Sequence, residues 1–89
     1  MIVRILGENQ FRLDESHMQP IAALDNRLLE AVHEDDHQAF SGLLQQLVQY
    51  VREYGQQIPD EEVIASNLII PAPDMSLHEA KRYLENAVS

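Results

Sequence analysis

His33-Glu34-Asp35-Asp36-His37 sets two histidines four residues apart among three carboxylates. Read literally, His33-Glu34-x-x-His37 is the H-E-x-x-H pattern, in which one helical face offers two imidazoles to zinc and the glutamate serves as general base. That chemistry needs an unbroken helix, a distant third ligand and a sizeable cleft. A helix break expected near Asp36 removes the shared face, and 89 residues are too few to build the rest. A small metal-dependent hydrolase resting on His33, Glu34 and His37 is therefore the alternative reading. The preferred one is a pair of exposed histidines in an acidic turn. None of Ser16, Ser41, Ser66, Ser76 or Ser89 sits in a G-x-S-x-G elbow, and the three glycines form no phosphate-cradling loop. Carboxylates are abundant, but a general acid/base pair needs a pocket that raises one pKa. His17 and His78 fall beside expected helix starts and read as exposed first-turn residues. No catalytic, cofactor-binding or metal-binding residue is assigned.

Binding is the remaining chemistry. Fifteen acidic against six basic residues give a net charge of −9, which repels phosphate backbones and anionic headgroups, so nucleic-acid binding and direct membrane insertion are disfavoured. Basic side chains are scarce enough that their placement matters. The acidic runs Glu34-Asp35-Asp36 and Asp60-Glu61-Glu62 read as solvated turns. Tyr50, Tyr54 and Tyr83 read as core-edge residues, with Tyr83 a weak interface candidate because it flanks its helix's apolar stripe.

The elements that must position these residues follow from periodicity. Met1–Leu6 is rich in β-branched residues, and Gln10–Leu13 follows a turn signal at Gly7 and Asn9, which predicts a β-hairpin. A Gly7-Glu8-Asn9 loop with Asn9 in the left-handed region pairs Ile5 with Phe11, Arg4 with Arg12 and Val3 with Leu13. Val3, Ile5, Phe11 and Leu13 then share the apolar face. Two arginines facing each other on the outer face would repel unless an anion lay between them. Ile2, Arg4, Leu6 and Arg12 are accordingly the candidate partner-binding residues.

Ser16 and Gln19 have capping-box spacing ahead of a helix over about 18–33, with Ile21, Leu24, Leu28, Ala31 and Val32 as its stripe and Leu29 at the margin. Asp36 is placed to cap a second helix carrying Phe40, Leu43, Leu44, Leu47, Val48, Val51 and Tyr54 and ending at Gly55. The short connection makes the two an antiparallel αα-hairpin. Leu68–Ile70 reads as a third strand stopped by Pro71-Ala72-Pro73. Ser76 and Glu79 open a last helix with Leu77, Ala80, Leu84 and Val88 on one side. The expected class is α+β: an N-terminal β-hairpin plus a short third strand, packed against an αα-hairpin and a C-terminal helix, in the order ββααβα. Residues 1–89 read as a single domain.

A chain without cysteine has no disulfide framework, which favours the cytoplasm, and no apolar run approaches the ~20 residues of a spanning helix. A domain this small has a thin stability margin, which a homodimer or another docked partner would widen.

Met1-Ile2-Val3-Arg4-Ile5-Leu6-Gly7-Glu8-Asn9-Gln10-Phe11, Leu24-Asp25, Ser66-Asn67-Leu68-Ile69-Ile70-Pro71 and Ser76-Leu77-x-Glu79-Ala80 together resemble the PspAA family of small phage-shock-protein-A-associated proteins. The resemblance runs the whole length. It departs at Asn9, where glycine is expected, and at Asn67, where aspartate is expected; both substitutes keep turn chemistry. It implies a non-catalytic adaptor or regulator of phage shock protein A, a coiled-coil protein that protects the inner bacterial membrane. It also implies recruitment to the inner membrane face through that partner. An antitoxin-like acidic binding protein is a further alternative, which the charge permits.

Overall fold

The computed structural model describes residues 1–59, 61–62 and 64–88, with side chains as far as Arg82. β1 (Ile2–Ile5) and β2 (Gln10–Arg12) form the hairpin, and a 3-10 turn over Glu15–His17 leads into α1 (Met18–His33). α2 (His37–Tyr54), β3 (Gln56–Gln57), β4 (Leu68–Ile70) and α3 (Leu77–Val88) follow. The sheet order is β3-β2-β1-β4, with β1 antiparallel to β2 and parallel to β4. The fold is α+β, as expected, with one strand more than the sequence indicated. Gln56-Gln57 has neither β-branched residues nor alternation; it is a strand only because Gly55 stops α2 beside the free edge of β2.

The hairpin keeps its expected apolar face but not its expected pairs. Val3 pairs Phe11 and Arg4 pairs Gln10, so Arg4 does not face Arg12, which lies opposite Ile2. The loop is Leu6-Gly7-Glu8, closed by Glu8 N–H donating to the Ile5 carbonyl at 2.9 Å. Gly7, not Asn9, takes the left-handed conformation at φ 79°. Glycine adopts that region without a Cβ clash, so the loop forms one residue earlier than an asparagine-centred turn would place it. Sliding a three-residue loop by one position shifts the pairing by two, and a two-residue shift leaves every side chain on its own face.

α1 begins at Met18 as read, but the Ser16 capping box does not form. Asp14 instead accepts from the Ser16 N–H at 3.0 Å and caps the 3-10 turn. At the other end Asp36 N–H donates to Ala31 and Asp35 N–H to Val32, with Asp35 left-handed at φ 54°. This Schellman-type ending satisfies the last carbonyls of α1. Asp36 then caps α2 through the Ala39 N–H at 3.1 Å. Ser76 and Glu79 form their capping box reciprocally, at 3.1 and 3.2 Å.

The core lies between one face of the sheet and the helices. Val3, Ile5, Phe11, Leu13 and Ile70 meet Ile21, Leu28, Ala31 and Val32 of α1, the α2 arc Phe40–Val51, and Leu77 and Ala80 of α3. Leu24 is half-buried and Leu29 exposed; Tyr54, placed on the α2 arc by periodicity, is 54% exposed. The expectations for Tyr83, Leu84 and Val88 lie outside the described side chains. Among the described residues no helix is long and apolar enough to cross a membrane.

Candidate functional site

Side chains alternate faces along a strand, so Ile2 and Arg4, Gln10 and Arg12, and Ile69 share the face turned away from the helices, while Leu6 opens the loop that follows β1. The register aligns Gln10, Arg4 and Ile69 across three strands. β3 and β4 are opposite edges of the sheet, and the described residues of the strap that joins them, Ile64 and Ser66 among them, lie on this outer side. Gln10 fixes the strap: its amide donates to the Ile64 carbonyl at 2.6 Å and to Ser66 Oγ at 2.7 Å, and the residue is buried. At the far end Asn67 Oδ1 accepts from the Ile2 N–H at 2.7 Å.

The strap therefore divides the four candidate residues. Ile2 is buried, Leu6 is half-buried, and Arg4 and Arg12 are exposed. Arg4 lines a hollow of about 220 Å³ with Pro59, Glu62 and Ile64. Arg12 lines a separate one of about 500 Å³ with Asp14, Glu15 and Tyr54. Among the described residues neither guanidinium makes an ion pair or hydrogen bond. Arg52, by contrast, grips Glu8 with two nitrogens, and Lys81 pairs with Asp35 at 2.7 Å. Ile69, 47% exposed beside Arg4, belongs to this surface and was not singled out from the sequence. Period-two alternation carried the signal: in Leu68-Ile69-Ile70 the middle residue must face opposite to its neighbours.

The histidines resolve differently. His33 ends α1 and His37 begins α2, so the helix is broken between them and both are exposed. Among the described residues no three histidine or carboxylate side chains are grouped to hold a metal ion. His78 is exposed as read. His17 is not: half-buried, it lies with Nδ1 2.6 Å from the Tyr50 hydroxyl and its ring stacks on Tyr54 at 5.2 Å. Contacts across 33 residues of sequence leave no local signal.

Among the described residues three carboxyls are perturbed. A Lys81 hydrogen bond holds Asp35 below its ordinary range, hydrogen bonds from Ser16 do the same for Asp14, and burial pushes Asp25 up.

No curated protein and no solved structure shows a significant match to the chain. A family comparison does, over residues 1–88, with the family described as PspA-Associated protein. That span takes in both helices of the hairpin, all four strands and α3, and on it the chain belongs to the PspA-associated protein family, PspAA.

Proposed function

We propose that this protein is a non-catalytic adaptor or regulator that binds PspA through the outer face of its sheet. It works in the cytoplasm and reaches the inner membrane face through that partner. The family's description as PspA-associated supports PspA as that partner. The observation that carries the surface is electrostatic. In a chain with fifteen carboxylates, Arg4 and Arg12 are left without an ion pair among the described residues, and exposed Ile69 lies beside Arg4. Arginine forks recognise carboxylates bidentately, and an apolar neighbour supplies the desolvated contact that makes such a pair count. The fit is to an acidic amphipathic helix: carboxylates on Arg4 and Arg12, apolar side chains on Leu6 and Ile69, with buried Ile2 as rigid floor.

Reversing both charges, Arg4→Glu with Arg12→Glu, should abolish co-purification of PspA while leaving the circular-dichroism spectrum intact. Retention of PspA at wild-type affinity by the doubly reversed protein would place the binding site elsewhere.

A further inference from the structure

Along one flank of the core stripe of α1 runs a second line of residues: Met18, Ala22, Asp25 and Leu29 recur at spacings of four, three and four. This is the 3.5-residue period of a seam between paired helices, and at ~1.5 Å per residue it extends about 16 Å along the axis. Nothing described fills it. Met18 is 47% and Leu29 37% exposed, although both are large apolar side chains on a helix whose other side is fully packed. Beside the first half of the seam lies a hollow of about 300 Å³. Among the described residues its apolar lining includes Met1, Met18, Ile21 and Leu68, and its polar points are Glu15, Asp25 and Asn67.

The charge of this groove is one-sided. No lysine or arginine lines it among the described residues, and the carboxylates of Glu15 and Asp25 have no hydrogen-bond or ion-pair partner there. Asp25 is half-buried at a seam position where a coiled coil would hold an apolar residue. A single polar residue in such a seam selects the partner that satisfies it, here one carrying a cation. A second copy of the chain fits poorly, since each copy carries −9 and the seam brings no basic residue to Asp25. An anionic lipid surface is repelled for the same reason.

We propose that this face of α1 is the docking site for a basic amphipathic helix of a protein partner. The helix lies along Met18, Ala22, Asp25 and Leu29 with an apolar side chain in the hollow and a lysine or arginine on Asp25. Burial already raises the Asp25 pKa, and a cation seated there offsets that desolvation. The site lies between α1 and the start of β4, is not lined by Arg4 or Ile69, and prefers the opposite charge, so it goes beyond the PspA reading and stands without it.

The test is a fluorescence-anisotropy titration of the full chain with a dye-labelled synthetic Leu/Lys amphipathic helix. Two control helices accompany it, one with its leucines replaced by serine and one with its lysines replaced by glutamate. The Leu/Lys helix should bind about tenfold or more tighter than either control. Met18→Ser and Asp25→Asn should each weaken it, whereas Arg4→Gln should not. Asp25→Lys should shift preference toward the Leu/Glu helix. Absence of binding, equal affinity for the Ser/Lys helix, or full affinity in a Met18→Ser/Asp25→Asn double variant would overturn the proposal.

Discussion

The imidazole Nδ1 of His17 stands 2.6 Å from the phenol oxygen of Tyr50, tying the entry to α1 to the last turns of α2. Tyr54 completes the cluster, 4.7 Å from the Tyr50 ring centre and 5.2 Å from that of His17. α1 has no side-chain cap at His17, so this cluster substitutes for one in fixing where the helix starts. Tyr50→Phe should cost about 0.5–1.5 kcal/mol for the lost hydrogen bond. His17→Ala should cost more, because ring contacts worth ~0.5–1.5 kcal/mol each go with it. Urea unfolding of both variants measures the difference, and equal costs would remove the ring contribution.

Leu47 is fully buried at the centre of α2, while its neighbour Gln46 faces solvent. Leu47→Ala should lower stability by about 2–5 kcal/mol and Gln46→Ala by less than about 0.5. In a domain whose total stability is only ~5–15 kcal/mol, the leucine variant should populate unfolded chain visibly in thermal melts.

Gly55 ends α2 with an unremarkable backbone, φ −86° and ψ 153°, so left-handed geometry is not why glycine stands there. The reason is space. A Cβ at this position would collide with the Val51 carbonyl oxygen and lie 2.9 Å from the Cβ of Phe11. Gly55→Ala should therefore destabilise by about 1–3 kcal/mol through overpacking, where a solvent-facing Gly→Ala with this backbone would stabilise. Chemical denaturation reads the sign.

Asp35 gains Lys81 only on folding, and its carboxyl is held below the ordinary value of 3.8 in the folded state. Its contribution is complete above the unfolded pKa and lost as pH falls through the lower folded one. Stability measured from about pH 5 down to pH 2 should decline less steeply in Asp35→Asn than in the wild type. Asparagine also tolerates the left-handed backbone at this position, which keeps the comparison clean.

Helix positions were legible because each depends on residues close in sequence. The 3.6-residue stripes of α1 and α2, apart from exposed Tyr54, the Asp36 cap and the Ser76–Glu79 box formed where the pattern put them. At the start of α1 two polar residues competed, and Asp14 won over Ser16 because the chain inserts a 3-10 turn that local spacing does not announce. The hairpin shows what alternation carries and what it leaves open: faces survive a two-residue shift, pairs do not. Arg4 and Arg12 were rightly found on the outer face, but their relation to each other was not. Nothing local predicts the strap that Gln10 holds between them, since it follows from β3 and β4 taking opposite edges. The His17–Tyr50–Tyr54 cluster is likewise a product of tertiary assembly.

The parallel pairing of β1 with β4 also orders events in time. Ile2 leaves the ribosome well before Asn67, yet its N–H waits for that residue, 65 positions later. Until then the nascent hairpin has one flank of β1 unpaired, an open strand edge of the kind that recruits other chains. Such a long sequence separation slows closure, and the interval grows if synthesis pauses before Leu68. Chains truncated between Gly55 and Leu68 should consequently aggregate instead of persisting as soluble helical fragments.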